Sequence, residues 1–168
     1  MLYKTSMEDL AMEVRKILKH EQELLDCVTS WSHTWWGKPD GLEYENVRYM
    51  MEHSLGEDRL PQTIVALEDG VPVGMYQISM ADDLRSRPDI YPWLANVYVD
   101  KPYRGRGICG KLMESVPHFA KQAGIETLYL YTHHVGLYEK YGWEFVELVP
   151  TFKKDSPMER LYKLKIGE

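Results

Sequence analysis

The sequence predicts an α/β fold, with a mixed, mostly antiparallel central sheet of about six or seven strands and helices on both faces. Three observations carry this. Strand-like runs and stretches of helical periodicity follow one another along the 168 residues. Asp69-Gly70 separates two such runs, a strong hairpin signal. An apolar run over residues 93–99 leads through a glycine-rich loop into a helical pattern.

Residues 1–12 read as an extension outside the core fold, where Ser6 with Asp9 suits the cap of a short helix. Over residues 14–19 local propensity favours continuing that helix, and a first strand is the alternative. Residues 21–36 form a helix, because Leu24, Val28, Trp31 and Trp35 recur at three- and four-residue steps and Gly37 and Pro39 follow. An aromatic stripe of this kind packs a helix on a sheet. Trp35 and Trp36 would also suit an acceptor pocket, since an aromatic face attracts a cationic amine. Residues 43–55 make a second helix, with Val47, Met50 and Met51 as its apolar side and Gly56 as its stop. Strands over 63–67 and 71–80 flank the Asp69-Gly70 turn. Residues 82–91 are polar and irregular and form a loop.

The stretch from Trp93 to Gly110 organises the rest. Leu94, Ala95, Val97, Tyr98 and Val99 are strand formers, and Pro102 cannot donate to a ladder, so the strand ends before it. Gly105, Gly107 and Gly110 let backbone N–H groups approach a ligand without Cβ obstruction, and Arg104 and Arg106 flank them. Ile108, Leu112, Val116, Phe119, Ala120 and Ala123 then fall on one helical face. A helix N-terminus with unpaired N–H groups completes an anion site suited to phosphate or pyrophosphate.

Two common fingerprints overlap here and fit poorly. The three glycines satisfy G-x-G-x-x-G, but several residues separate Val99 from Gly105, and Glu126 precedes the next strand instead of ending it. Gly105, Gly110 and Lys111 satisfy most of a P-loop, yet Leu112 stands where Ser or Thr must hold Mg²⁺.

A third fingerprint fits better. Val97-Tyr98-Val99 followed by Arg104-Gly105-Arg106-Gly107-Ile108-Cys109 resembles the [Q/R]-x-x-G-x-[G/A] motif of the Gcn5-related N-acetyltransferase (GNAT) superfamily. Leu137-Tyr138-Glu139-Lys140-Tyr141-Gly142-Trp143 resembles a second segment of that family, in the right order and at about the right separation. The resemblance extends more loosely from about Val14 to the C-terminus, as one domain over residues 13–168, and it favours a strand over residues 14–19. There are two departures. Cys109 replaces the motif's small Gly or Ala, and Pro117 lies inside the helix, where it would cost ~3 kcal/mol in an ordinary interior. A kink is expected there, with Gly124 capping the helix end.

Beyond that helix, residues 127–132 form a short strand, 133–136 a turn and 137–141 a brief helix ending at Gly142. Strands over 143–148 and 158–166 follow, separated by a loop over 150–157.

The length suits a single domain that buries roughly 70% of its unfolded surface. A net charge of −6 argues against nonspecific nucleic-acid or acidic-membrane binding and leans slightly toward a cationic substrate. Cys27 and Cys109 make no disulfide framework and suggest a reducing compartment. No apolar run approaches the ~18 residues of a membrane span, and MLYKTSMEDL lacks a signal-peptide segment, so a cytoplasmic protein is expected. His20, His33, His53 and His118 form no ligand spacing with either cysteine, and no metal is expected.

The resemblance implies acetyl transfer from acetyl-coenzyme A to a primary amine of a small molecule. Pyrophosphate would sit on the N–H groups of Arg104, Gly105, Arg106, Gly107, Ile108, Cys109 and Gly110. Pantetheine would run beside Val97, Tyr98 and Val99, with the Val97 N–H on the thioester carbonyl. Tyr138 stands where family members place a tyrosine that protonates the leaving thiolate. The base is open among Asp82, Asp83, Asp89, His133 and His134, and Asn96 would orient a water or the amine. An acyl-coenzyme A sensor without turnover is the alternative reading. The family often forms homodimers, and no residue pattern places an interface.

Overall fold

A computed structural model describes residues 12–82, 84, 86–151 and 157–167. Ser6, Asp9 and Asp83 lie outside the described residues. Seven strands form one sheet: β1 (Met12–Lys16), β2 (Gln62–Glu68), β3 (Val71–Ser79), β4 (Trp93–Val99), β5 (Thr127–Thr132), β6 (Glu144–Val149) and β7 (Glu159–Lys165), in the order β1-β2-β3-β4-β5-β7-β6. The helices are α1 (Gln22–Ser32), α2 (Tyr44–Glu52) and α3 (Ile108–Gln122).

β2 alternates its side chains between two cores. Ile64 and Ala66 face the cluster built with Ile108, Leu112, Val116 and Phe119 of α3. Val65 and Leu67 face the cluster of Leu25 and Val28 of α1 with Val47 and Met51 of α2. The period-two alternation of a strand thus puts helices on both faces, and all four β2 residues are buried.

β1 is a strand. It pairs antiparallel with β2, Val14 opposite Ala66, and this pairing overrides the helical propensity of the segment. It begins at Met12, inside the boundary expected for the extension. At the β2–β3 hairpin Asp69 and Gly70 both have positive φ, 50° and 79°, as the expected two-residue turn requires.

Two departures from regularity shape the centre of the sheet. β3 and β4 slip register between Met75 and Gln77, and Asn96 adopts φ +52° there, a bulge that the sequence reading did not foresee. β4 and β5 are the one parallel pair, and they share a single register position, Trp93 with Tyr129. Past it the strands part, and the edge of β4 from Ala95 to Val99 lies outside any ladder with β5.

α3 runs unbroken through Pro117, whose side is exposed. Its end is a Schellman motif: Ile125 N–H donates to Ala120 O at 3.0 Å and Gly124 N–H to Lys121 O at 3.0 Å, with Gly124 at φ +72°. α1 ends differently from the expected regular helix. Residues His33–Gly37 continue it as a π-helical turn. A Cβ on Gly37 would lie 2.6 Å from Val47 Cγ2, so only glycine lets this turn close on α2. Among the described residues no helix is long and apolar enough to cross a membrane.

Candidate active site

The strand–loop–helix stretch folds as a tight unit. Asp100 accepts from the Lys101 N–H at 2.9 Å and opens a 3₁₀ turn over Lys101–Tyr103. Arg104 Nε donates back to Val99 O at 2.8 Å. Gly105 and Gly107 have φ +75° and +80°, which few side-chain-bearing residues adopt, and nothing lies within 4 Å of where their Cβ atoms would be. Gly107 caps α3 without a side-chain bond, so among the described residues no side chain of the cap occupies the first-turn N–H groups. Gly110 is required for packing as well. Its Cα faces the Tyr141 hydroxyl, and a Cβ would lie 2.9 Å from it. Ile108 and Leu112 are buried in the core, so the position a P-loop needs for Mg²⁺ points away from the loop.

The two arginines are tethered. Arg106 pairs with Glu68 of β2 at 2.9 Å and lies 5.5 Å from the Tyr103 ring centroid. Arg104 lies over Trp35 and Tyr98, at 5.3 and 5.5 Å. Tyr98 turns its ring toward the α1 end, 5.3 Å from Trp31, 5.9 Å from Trp35 and 6.3 Å from Trp36. Val97 and Val99 pack against the α3-side core.

Tyr138 is 7% exposed, with its ring 6.2 Å from Trp143 and 6.3 Å from Tyr162. Burial, with the nearby Cys109 thiol adding to it, pushes its hydroxyl well above the ordinary tyrosine value. Burial also raises the Cys109 thiol.

Where β4 and β5 part there is a narrow cavity of about 280 Å³. Asn96, Val97, Thr132, His133, His134, Tyr138 and Glu159 line it. A larger cavity of about 900 Å³ lies between α2, the π-helical turn and strands β3 and β4. Trp36, Asp82 and Asn96 line both cavities. The Asn96 amide donates to Gln77 Oε1, Gln77 Nε2 donates to Thr63 Oγ1 at 3.0 Å, and Thr63 donates to Ser54 O at 2.9 Å. This chain fixes the amide's orientation at the junction.

The proposed bases separate on geometry. Asp89 lines neither cavity. Arg87 grips its carboxylate at 3.0 and 3.1 Å and holds it below the usual carboxylate range. Asp82 lines both cavities. His133 and His134 stack with centroids 4.3 Å apart in the narrow one. Burial lowers the His134 pKa below its ordinary value, His133 adds to this, and Glu159 partly offsets it. Gln77 and Glu159 were missed by sequence reasoning. Each is a polar residue within a strand, with no motif to mark it, and only the fold brings it to the site. Glu159 Oε2 is buried with no hydrogen-bond partner among the described residues. Among the described residues no three His, Cys, Asp or Glu side chains group to hold a metal.

A comparison with curated protein sequences finds no match. Solved structures share the fold at low identity. An aminoglycoside 6'-N-acetyltransferase complexed with coenzyme A superposes with a TM-score of 0.72 at 14% identity, over 93% of this chain and 98% of that one. The ribosomal-protein-S18-alanine N-acetyltransferase from Escherichia coli gives 0.63 at 14%, over 94% and 96%. The yncA protein from Salmonella typhimurium, solved with acetyl-CoA, gives 0.67 at 16%, over 94% and 95%. The family described as Acetyltransferase (GNAT) family matches residues 24–143, more than half of the sequence, and spans both the glycine-rich loop and Tyr138. The chain belongs to the acetyltransferase (GNAT) family and is an acyltransferase.

Proposed function

We propose that the protein transfers an acetyl group from acetyl-coenzyme A to a primary amine of a small molecule in the cytoplasm. One observation carries this: the unladdered edge of β4 runs from the open glycine-rich loop to Tyr138, and both cavities meet at Asn96 on that edge. The residues fit the acyl donor. Gly105 and Gly107 present backbone with no Cβ in the way, and the first turn of α3 offers N–H groups and a positive dipole end to the pyrophosphate. Arg104 and Arg106 supply charge beside it. The donor supplies an activated thioester carbonyl.

Each remaining role belongs to the chain. The Val97 N–H donates to the carbonyl oxygen as it gains negative charge. Asn96, held by Gln77, steers the amine from the larger cavity. A free amine of pKa ~10.4 is neutral in roughly one molecule in a few thousand at pH 7, so a proton acceptor matters. His134 takes this role through water, because burial keeps it neutral at physiological pH. The C–N bond forms as the C–S bond breaks, and Tyr138 gives its proton to the thiolate. Its raised pKa leaves the hydroxyl protonated at neutral pH.

Calorimetric titration with acetyl-coenzyme A, and with ATP-Mg²⁺ and NAD in parallel, tests the donor. Binding of acetyl-coenzyme A alone supports the reading, and a panel of amines scored by thiol release then follows. Binding of ATP or NAD without acetyl-coenzyme A overturns it.

A further inference from the structure

The larger cavity has two unlike ends. Its inner end is polar, with Gln77 and Asn96. Its mouth is apolar and aromatic: Trp36 from the π-helical turn, then Leu42, Tyr49 and Met50, the last three 38%, 63% and 47% exposed. Tyr49 is stacked on His53, with centroids 4.2 Å apart, and His53 Nδ1 lies 2.8 Å from Tyr49 O, so the aromatic platform is already fixed. Large apolar groups gathered in water beside a concave site mark a surface that a ligand covers. A polyhydroxylated amine would strand its hydroxyls against Leu42, Met50 and the ring faces, at the cost of lost hydrogen bonds to water.

Building on the acetyl-transfer reading above, we infer that the acceptor is a primary amine carried on a flat apolar body. The body lies on Trp36, Tyr49 and Met50, through ring stacking and thioether contact. The amine reaches inward to Asn96, where the cavities join.

Thiol release from acetyl-coenzyme A, measured with 2-phenylethylamine, spermidine and kanamycin, tests this. The expected result is a kcat/KM for 2-phenylethylamine at least about tenfold above the other two. Tyr49→Ala raises its KM about tenfold with kcat changed less than about threefold, and Tyr49→Phe restores the KM. Tyr49 is exposed, so the variant keeps its fold. Higher efficiency with spermidine or kanamycin overturns the inference and leaves acetyl transfer standing. An unchanged KM in Tyr49→Ala also overturns it alone. No thiol release with 2-phenylethylamine, while acetyl-coenzyme A still binds in the titration, overturns the inference alone, and loss of acetyl-coenzyme A binding overturns the transfer reading and the inference with it.

Discussion

Asn96 donates its side-chain amide to Oε1 of Gln77 across the bulge in β4, from a backbone at φ +52°. Gln77 is buried, so its oxygen has little access to water. Asn96→Gly removes the bond but accepts the backbone angle, and should cost about 1–2 kcal/mol for the orphaned acceptor. Asn96→Ala loses the same bond and adds the left-handed penalty of roughly 1–2 kcal/mol. Urea unfolding should therefore rank wild type above Gly and Gly above Ala. An Ala variant as stable as the Gly variant would show that the bulge relaxes when the side chain is lost.

Tyr138→Phe should lower the rate of thiol release about 10²-fold while leaving acetyl-coenzyme A affinity nearly unchanged. Because burial raises the hydroxyl's pKa, the acid stays protonated through mildly alkaline pH. The alkaline limb of the wild-type profile should thus lie above the ordinary tyrosine range. Unchanged turnover in the phenylalanine variant would reduce Tyr138 to a packing residue.

The acidic limb reports the proton acceptor. A histidine with a lowered pKa is deprotonated at neutral pH and gains a proton only as pH falls below 6.5, the ordinary value. The kcat profile should accordingly stay flat through neutrality and fall below that point. His134→Gln should lower kcat about 10²-fold and abolish this limb. A limb that persists in the variant assigns the base elsewhere.

The glycines of the loop should divide by cause. Gly107→Ala meets no atom and is destabilised only by its positive φ, by roughly 1 kcal/mol, whatever its neighbours are. Gly110→Ala meets the Tyr141 hydroxyl, so Tyr141→Phe should recover part of its loss. A double-mutant cycle in thermal unfolding reads the difference: coupling of about 1 kcal/mol for Gly110 with Tyr141, and none for Gly107 with Tyr141.

What the sequence disclosed follows how local each signal is. The Asp69-Gly70 turn, β4 with its glycine-rich loop, and Gly124 at the end of α3 are written within a few residues, and the structure forms them there. β1 is a harder case, because its own residues favour a helix and only pairing with β2 makes it a strand. The Asn96 bulge, the parting of β4 from β5 and the π-helical turn escaped notice for a shared reason. Each depends on a partner far along the chain: Gln77 for the bulge, Tyr129 for the parting and Val47 for the turn. Ala95, Asn96 and Val97 carry no turn signature of their own. The same distance hid Gln77 and Glu159 from the site, while Tyr138 and the loop stood out through a contiguous motif.

A sheet margin is ordinarily a hazard in solution, since its open ladder invites a strand from another molecule and begins aggregation. Proteins blunt such margins with charges, prolines or a covering helix. The margin of β4 sits in the middle of the sheet, with strands on either side and helices over both faces. The margin lies inside the strand order, away from the outer edges at β1 and β6 where a strand from another molecule would ordinarily add, so opening the sheet here creates no new outer edge.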